Sequence, residues 1–424
     1  MQQPAQGVPL PPLPAPVDLN DLLEPFSRRG VDLGLDRLRA ALAEGGNPQQ
    51  RFAAVQVAGT NGKGSICTFL HSILRQAGLR VGTYRSPHLV SWCERIQLDD
   101  AWIQPRQLRD DLMRWQAIGR RHALTPFELL TAAAFDRFAC SNLDLVILEV
   151  GLGGRLDATT AHPSRAVIGL ASIGLDHREY LGDSLAAIAA EKAGVMTEAA
   201  EVFSGPQEPE VAAVLETEAR RLGSRLHWLA PLPEVGAGGP GLGLDGAWQR
   251  RNAAVAVAMV RALAQRGWAI PEPAINAGLA AARWPGRLER RRWRGRPLLL
   301  DGAHNPPAAV ALARELQAMA GGGGARRWLL GIQRHKQAPE MLQALLAPAD
   351  RARIVPIADH RCWDAAALAA ALPGLADQLE PGSDGEDGLE RDLTWLTTDA
   401  TAIPVVAGSL HLLGQVIPRL DPEP

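Results

Sequence analysis

The sequence lacks the features that would mark a membrane, secreted or nucleic-acid-binding protein. No apolar run approaches the roughly 20 residues that a helix needs to cross a bilayer. The N-terminus has no charged region followed by an apolar one, as a secretion signal would. The 46 acidic and 44 basic residues nearly cancel, to a formal net charge of −2. We therefore expect neither a nucleic acid nor a membrane as a partner.

Cysteine is also scarce, and its spacing is informative. The sequence has no C-x-x-C pair, because its four cysteines lie far apart, at Cys67, Cys93, Cys140 and Cys362. This pattern predicts neither a disulfide framework nor a zinc site, so we expect reduced thiols in a cytoplasmic protein. The chain has 424 residues, 46% of them hydrophobic. That length exceeds the size at which one core stops growing, which predicts two domains with sizeable cores.

Short apolar runs alternate with helical patterns rich in Ala, Leu and Arg. This alternation predicts an α/β fold with mostly parallel sheets and crossover helices. The predicted strands are 53–58, 143–150, 166–173, 298–300, 327–332 and 403–407, and the predicted helices include 66–76, 127–139, 184–193, 249–264 and 308–319.

Proline, glycine and arginine mark the expected boundaries. Six prolines within residues 4–16 predict that residues 1–17 form a disordered or extended tail outside the fold. A Trp-Pro-Gly turn followed by an arginine-rich stretch suggests a domain boundary. We therefore expect a first domain over residues 18–288 and a smaller second domain over residues 297–424. The glycines at 321–324 predict a flexible turn.

Seven arginines lie between residues 283 and 296. They raise the alternative of a nucleic-acid patch, for which Trp284 and Trp293 would be the stacking platforms. Such a patch needs a broader basic surface, whereas the chain is slightly acidic overall. The arginine stretch is therefore a weak indication of nucleic-acid binding.

The most informative segment is residues 58–65, Ala-Gly-Thr-Asn-Gly-Lys-Gly-Ser, between a predicted strand and a predicted helix. Its glycines allow backbone N–H groups to converge on an anion, and the positive end of the helix dipole points at the same place. Lys63 supplies a mobile positive charge for phosphates, and Thr60 or Ser65 offers a hydroxyl to a phosphate or to Mg²⁺. The segment predicts a loop that binds the phosphates of ATP.

The match to the usual pattern G-x-x-x-x-G-K-[ST] is imperfect. Val57 stands where the first glycine would be, and Gly64 is inserted before Ser65. The prediction therefore depends on Lys63 and on the flanking strand and helix.

A second segment, residues 145–157, is a buried strand that carries one carboxylate, Glu149, just before a glycine-rich exit. The carboxyl edge of an open α/β sheet is where nucleotides and metals bind. A buried carboxylate needs a cation, and Mg²⁺ fits; the alternative is an ion pair with Arg155. The glycines of residues 151–154 do not form a dinucleotide motif, because the spacing is not G-x-G-x-x-G.

Further motifs follow in a fixed order. They are residues 58–65, 84–89 (Tyr-Arg-Ser-Pro-His-Leu), 125–128 (Thr-Pro-Phe-Glu), 148–159, 175–177 with 191–194, 301–306 (Asp-Gly-Ala-His-Asn-Pro) and 408–412. Together they closely resemble the folylpolyglutamate synthase and dihydrofolate synthase family, within the Mur ligase superfamily of ATP-dependent amide-forming ligases. The resemblance covers residues 18–414. It implies a P-loop-type ATPase domain with a mostly parallel sheet, followed by a smaller Rossmann-like α/β domain.

The resemblance also implies roles for individual residues. Imidazole is a less usual Mg²⁺ ligand than a hydroxyl or a carboxylate, so on its own His177 would be a polar loop residue. The implied Mg²⁺ ligands are Ser86, Glu149 and His177. The implied ATP contacts are Asn61, Gly62, Lys63, Gly64, Ser65, Asn252, Arg287 and Asp301. The segments that match a pterin-binding site are Thr125, Pro126, Phe127 and Glu128, together with Leu156, Asp157 and Ala158.

Lys192 matches a lysine that is carbamylated in the family. A neutral, partly desolvated lysine can add CO₂ and become an anion. Without the resemblance, the Glu191-Lys192 pair on a predicted helix is a solvated charge pair. The resemblance thus makes Lys63, Glu149, His177 and Lys192 the expected catalytic residues.

One departure concerns residues 334–337, Arg-His-Lys-Gln, where family members often carry Asp-Lys-Asp. Only Lys336 is retained. The loss of acidic groups predicts altered handling of the amino-acid substrate or of chain extension.

The resemblance implies ATP-dependent ligation of L-glutamate to 7,8-dihydropteroate, to the glutamate tail of folates, or to both, through an acyl phosphate. The partners are small molecules, and a monomer is expected. A cell-wall Mur ligase is an alternative, but only about 50 residues precede the phosphate loop, too few for its nucleotide-sugar domain. A non-catalytic nucleotide-gated interaction protein would explain the loop, but not Glu149, His177 and Lys192 together.

Overall fold

The computed structural model describes residues 11–29, 31–319 and 324–422, which divide into two compact units. The first unit ends at Arg283 and the second begins at Trp284, except that Asp245–Ala247 belongs to the second unit. Each unit is a sheet with helices, which confirms the predicted α/β fold class. No helix in the described part of the chain is long and apolar enough to cross a membrane.

The first unit is built on an eight-stranded sheet of order β4-β3-β2-β5-β1-β6-β7-β8. All neighbours are parallel except the pairs β2–β3 and β3–β4. The strands are β1 (Ala54–Ala58), β2 (Val81–Tyr84), β3 (Ile96–Leu98), β4 (Ala101–Trp102), β5 (Leu145–Glu149), β6 (Val167–Leu170), β7 (Glu201–Ser204) and β8 (Arg225–Trp228). The central strands β1 and β5 are buried along their whole length, which explains why both are mostly apolar, with Gln56 in β1 and Glu149 at the end of β5 as the polar residues.

Ten helices belong to this unit among its described residues. They are α1 (Asn20–Leu23), α2 (Asp36–Glu44), α3 (Lys63–Gln76), α4 (Pro105–Arg121), α5 (Pro126–Ala139), α6 (Arg178–Leu181), α7 (Leu185–Ala193), α8 (Pro209–Leu222), α9 (Trp248–Gln265) and α10 (Glu272–Ala281).

The register of the first sheet brings four strand ends to one edge. Tyr84 of β2 pairs with Leu148 of β5, Glu149 pairs with Val57 of β1, and Ala58 pairs with Leu170 of β6. The segments that leave these strands therefore start side by side. They are the glycine-rich loop, the Ser86 segment, the residues after Glu149 and the residues before His177.

The second unit is built on a six-stranded sheet of order β13-β12-β11-β14-β10-β9. Only the pair β9–β10 is antiparallel. The strands are β9 (Glu289–Trp293), β10 (Arg296–Leu300), β11 (Arg326–Leu330), β12 (Arg351–Ile354), β13 (Leu379–Pro381) and β14 (Ile403–Ala407). The helices are α11 (Pro306–Met319), α12 (Ala338–Leu345), α13 (Ala365–Ala371), α14 (Gly388–Thr398) and α15 (Leu410–Val416).

Two boundaries differ from the sequence prediction. The second unit takes in residues 289–296, because the arginine-rich stretch forms β9 and pairs with β10 rather than linking two domains. Of the predicted tail, residues 1–10 lie outside the described part. Residues 11–17 lie on the first unit, where Pro11 accepts a hydrogen bond from the Trp102 indole (3.3 Å) and Val17 packs against the core. The predicted turn at 321–324 lies outside the described residues except for Gly324.

Candidate active site

The glycine-rich loop between β1 and α3 requires glycine at two points. Gly59 has φ of 139°, and a Cβ there would lie 2.7 Å from the Cβ of Ala171. Gly62 has φ of 103°, and a Cβ there would lie 2.5 Å from Oδ1 of Asn252. Both the backbone conformation and the available space exclude a side chain. The helix that follows begins directly at Lys63.

This loop is fixed to the residues that follow β6. The N–H groups of Thr60 and Asn61 donate to the Ser172 carbonyl (2.8 and 3.2 Å), and the Ser172 hydroxyl donates to the Asn61 carbonyl (2.9 Å). The Thr60 hydroxyl donates to the Gly174 carbonyl and accepts from the Gly174 N–H (3.0 and 3.1 Å). Of the two hydroxyls suggested by the sequence, that of Thr60 is therefore engaged in holding the loop.

The Ser65 hydroxyl, unlike that of Thr60, is not engaged in holding the loop. It accepts a hydrogen bond from Nε2 of Gln249 (3.2 Å), and its own proton has no acceptor among the described residues. Gln249 in turn accepts from Nδ2 of Asn252 (2.9 Å). This chain of contacts fixes Ser65 and Asn252 beside the loop, and Ser65 keeps a donor for an incoming anion.

Two lysine ammonium groups converge on one carbonyl oxygen of the loop. Nζ of Lys63 donates to the Gly59 and Thr60 carbonyls (both 3.1 Å), and Nζ of Lys192 donates to the same Gly59 carbonyl (3.0 Å). No carboxylate forms an ion pair with either lysine in the part of the chain that the structure describes. Two cations without a protein counter-ion define a site for an anion.

Lys192 is almost fully buried, with 4% of its surface exposed. Burial lowers its pKa from the usual value to about 7, and the positive charge of Lys63 acts in the same direction. The alternative of a solvated Glu191–Lys192 pair is wrong, because Glu191 pairs with Arg155 (2.7 Å) while Lys192 points inward to Gly59.

Glu149 ends β5 and is buried, with 5% of its surface exposed. Arg155 cannot be its partner, since that arginine lies against Glu191. A nearby cation is Arg85, which is itself buried. Burial lowers the pKa of Arg85, and the negative charge of Glu149 opposes this effect.

Ser86 provides the strongest sign of a metal ligand. Its hydroxyl oxygen is buried and has no hydrogen-bond partner among the described residues. Mg²⁺ commonly takes one or two protein oxygens and completes its coordination with water and phosphate. The Ser86 hydroxyl and the Glu149 carboxylate, at the same sheet edge, are suitable protein oxygen ligands for Mg²⁺.

His177 occupies a separate position on the loop after β6. It has φ of 51°, and its Nε2 lies 3.9 Å from a carboxylate oxygen of Asp176. Within the described residues, no three His, Cys, Asp or Glu side chains form a metal cluster. The assignment of His177 to a metal therefore stays a prediction.

The Thr125 segment forms the start of α5. Thr125 and Glu128 cap the helix: Thr125 N–H and Oγ1–H donate to the Glu128 carboxylate (2.8 and 2.9 Å), and Pro126 takes the first helical position. Phe127 lies 6.0 Å from the Tyr84 ring, and a Cβ on Gly151 would lie 2.6 Å from the Phe127 ring. Phe127 thus stands beside the exits of β2 and β5.

Asp157 holds the loop after β5. Its carboxylate accepts from the N–H groups of Gly151, Leu152 and Thr159 (3.0, 2.9 and 2.9 Å), and burial raises its pKa. The sequence pointed to a substrate contact, but these donors occupy the carboxylate. Its neighbour Ala158 is buried, whereas Leu156 is partly exposed.

In the second unit, Asp301 follows β10 and is buried. It accepts from the N–H groups of Leu288 and Ala303 (both 2.9 Å). Burial raises its pKa, and the charge of Arg287 opposes this effect. Asp301 thus fixes the backbone next to Arg287.

The residues that differ from the family pattern, 334–337, follow β11. The Arg334 guanidinium lies 3.8 Å from the centroid of the Trp363 ring, and Lys336 is buried.

Several supporting residues could not be found from the sequence. Gln249 and Ser172 act through contacts between distant segments and stand in no motif with a known spacing. Arg85 lies in the motif 84–89, but no role of its own followed from the sequence. The only signal for Gln249 and Ser172 was weak: Gln249 begins the helix predicted over residues 249–264, and Ser172 lies near the end of the strand predicted over residues 166–173.

A phosphate-type loop and a buried carboxylate at one sheet edge, in a chain with a second α/β unit, define the class of two-domain ATP-dependent ligases. Residues 287–420 match the family model described as the dihydrofolate synthetase C-terminal domain. The dihydrofolate synthetase of Saccharomyces cerevisiae is 34% identical over 354 residues, which cover 76% of this chain and 80% of that protein. The dihydrofolate synthase/folylpolyglutamate synthase of Mycobacterium tuberculosis is 32% identical over 425 residues, covering 89% and 85%.

Among solved structures, the bifunctional folylpolyglutamate synthase/dihydrofolate synthase of Yersinia pestis, complexed with AMPPNP and Mn ion, has a TM-score of 0.82 and 30% identity. The match covers 96% of this chain and 99% of that one. The chain belongs to the folylpolyglutamate synthase and dihydrofolate synthase family and is an ATP-dependent ligase.

The lowered pKa of Lys192 predicts a stability effect of known sign. Between about 7 and 10.5 the unfolded chain holds a proton on Lys192 that the folded chain lacks, so stability rises with pH in this range. Relative to Lys192→Met, the wild-type free energy of unfolding should increase by up to about 1.4 kcal/mol per pH unit between pH 7 and 9. Urea unfolding of both proteins in CO₂-free buffer measures this. A difference that does not change with pH would refute the lowered pKa.

Proposed function

We propose that this protein ligates L-glutamate to the carboxylate of 7,8-dihydropteroate and to the glutamate tail of folates, with conversion of ATP to ADP and phosphate. The observation that carries the proposal is the convergence of Lys63 and Lys192 on the Gly59 carbonyl without a protein counter-ion. Such a cluster at the start of a helix suits the phosphates of a nucleotide. Membership of the family supports the choice of acceptor and amino acid.

The chemistry proceeds in two displacements. A carboxylate oxygen of the acyl donor attacks the γ-phosphorus and ADP leaves, which gives an acyl phosphate. The amine of glutamate then attacks the acyl carbon, phosphate leaves with the bridging oxygen, and the amine loses a proton. Lys63 and the positive end of α3 would stabilise the charge that builds on the phosphoryl oxygens.

The remaining residues bind and position. Mg²⁺, held by Ser86 and Glu149, would supply positive charge to the phosphates, with His177 as the ligand of a second ion. The proposed ATP contacts are Asn61, Gly62, Lys63, Gly64, Ser65, Asn252, Arg287 and Asp301. The proposed pterin contacts are Thr125, Pro126, Phe127, Glu128, Leu156, Asp157 and Ala158, and the Asp157 carboxylate also holds the loop after β5.

Carbamylation of Lys192 is part of this proposal. A pKa of about 7 leaves a large neutral fraction at neutral pH. The neutral amine can add CO₂ and lose one proton, so that a cation beside Lys63 becomes an anion. The anion would form an ion pair with Lys63 or bind a metal.

Both activities are proposed because bifunctional enzymes are among the relatives. The alternative is a single-function enzyme, as the printed name of the yeast relative describes. Residues 334–337 are the place where this chain departs from the family, so they are the first candidates for a difference in chain extension. A cytoplasmic location and a monomeric state stay predictions.

The function is tested by product analysis. We expect ADP release only when ATP, glutamate and an acyl donor are all present. Incubation with dihydropteroate, and separately with a reduced folate, should each give a product heavier by one glutamyl residue or more, measured by mass spectrometry. Product from only one donor would establish the single-function alternative. ADP release that does not depend on either donor would contradict the proposal.

The role of Glu149 is tested by Glu149→Gln, with Glu191→Gln as the matched control on the surface. Removing a charge beside the phosphoryl group should lower kcat by roughly two orders of magnitude. The control should turn over normally, because Glu191 only pairs with Arg155. The comparison is made at saturating Mg²⁺, with melting temperatures to confirm folding. Equal kcat in the two variants would remove Glu149 from the metal site.

A further inference from the structure

Arg95 is a partly buried cation that has no part in the proposed ATP, metal or pterin contacts. It lies just before β3, and its Nε donates to Nδ1 of His88 (3.0 Å). Its guanidinium carbon lies 4.5 Å from the centroid of the Trp92 ring. These two contacts fix one edge and one face of the guanidinium. Its two terminal amino groups have neither a hydrogen-bond acceptor nor an ion-pair partner within residues 11–29, 31–319 and 324–422.

Arg95 stands at the same sheet edge as the proposed metal ligands. Its carbonyl accepts from the N–H of Arg85 (3.0 Å), the residue before Ser86. The next residue along, Ile96, pairs with Tyr84 of β2. Burial lowers the Arg95 pKa, and the negative charges of Glu94 and Glu149 are close enough to oppose this effect. Arg95 thus lies near the segment of Ser86 and the carboxylate of Glu149.

The neighbouring carboxylates favour the Arg95 charge, but they do not bind its terminal amino groups. Glu94 directs its oxygens to the backbone N–H groups of Leu89, Val90 and Ser91 (2.9, 2.7 and 2.6 Å) and forms no ion pair with Arg95. Glu149 likewise forms none with Arg95. The Arg95 guanidinium is partly exposed, so its terminal amino groups are accessible to an incoming anion. The planar fork that remains open matches the two oxygens of a carboxylate.

The proposed reaction limits which anion Arg95 could bind. The phosphates of ATP are already assigned to Lys63 and the glycine-rich loop at the start of α3. The remaining anion that must approach the γ-phosphorus is the carboxylate of the acyl donor. Phe127, in the proposed pterin segment, lies 6.0 Å from the Tyr84 ring, and Tyr84 neighbours Arg95. A donor whose ring system rests near Phe127 would therefore lie close to the sheet edge at which Arg95 stands.

We infer that Arg95 binds the carboxylate of the acyl donor and orients it for attack on the γ-phosphate. His88 and Trp92 position the guanidinium, and Arg95 makes the contact. This inference rests on the proposed function, because it assigns a residue to one substrate of that reaction. Two acyl donors could supply this carboxylate. They are dihydropteroate, through its aromatic carboxylate, and a folate, through its terminal γ-carboxylate.

The test compares carboxylate donors with their carboxamides by direct titration, without turnover. Wild-type protein should bind dihydropteroate about 10- to 100-fold more tightly than its carboxamide, the range expected for a charge-assisted hydrogen-bonded pair. Arg95→Gln should bind the two equally. Arg95→Lys should keep part of the preference, because it retains the charge without the fork. Arg106→Gln, at an exposed arginine of α4, should behave as wild type.

A second arm repeats the titration with a reduced monoglutamyl folate and its γ-amide. Loss of the preference with either donor supports the inference and identifies the source of the carboxylate. An unchanged preference in Arg95→Gln with both donors overturns it, as does a rise in the KM for glutamate with donor binding intact. If Arg95→Gln does not fold, Arg95→Lys decides by the same comparison.

Failure of the proposed function remains distinguishable from failure of this inference. Wild-type protein that releases no ADP with any donor refutes the ligase proposal, whatever the titrations give. Normal ADP release together with an unchanged carboxylate preference in Arg95→Gln refutes the role of Arg95 alone.

Discussion

The Gly59 carbonyl is the point at which three elements of the first unit are held together. Lys63, from the start of α3, and Lys192, from the end of α7, both donate to it, and the carbonyl itself follows β1 directly. Two ammonium groups that share one neutral acceptor repel each other. The charges of Asp176 and Asp157 favour the protonated form of Lys192, but no described carboxylate forms an ion pair with either lysine. The arrangement is favourable when an anion is present, or when one lysine is neutral or converted to an anion. The low pKa of Lys192 expresses this constraint in the free protein.

The backbone around this point is fixed before any ligand arrives. Thr60 and Asn61 are bonded to the loop after β6, and Asp157 draws three N–H groups of the loop after β5 around its carboxylate. Gln56, buried in β1, donates to the hydroxyls of Thr159 and Thr160 (2.8 and 3.0 Å). These contacts keep the exits of β1, β5 and β6 in register, so the groups that would meet a phosphate need little rearrangement.

The parts of the fold that could be predicted are those whose chemistry is local. Strands β1, β5, β6 and β14 are apolar runs because both faces are covered, and the glycine-rich loop carries its own signature. Strands β9 and β12 were missed because arginines occupy most of the positions of β9 and half of those of β12, which a partly covered strand tolerates. Residues 289–296 were taken for a linker for the same reason.

The site was predictable to the extent that motifs mark it. Lys63, Glu149 and Ser86 meet at one edge, as the order of strands implies, whereas the carboxylate of Asp157 proved to hold backbone. The sequence carried no signal for Arg95 and only a weak one for Gln249, because the importance of both comes from residues that face them from distant segments. A single sequence shows which charged residues are present. It does not show which of them lack an ion-pair partner in the folded protein.

The central claim is that the phosphate loop activates a carboxylate by phosphorylation. It is tested most directly by following the donor oxygen. If the donor carboxylate is labelled with ¹⁸O and ligated with unlabelled ATP and glutamate, we expect one ¹⁸O atom in the phosphate released with each amide bond, measured by mass spectrometry. Amide product accompanied by unlabelled phosphate would contradict the acyl phosphate, and with it the proposed role of Lys63 and the Gly59 loop.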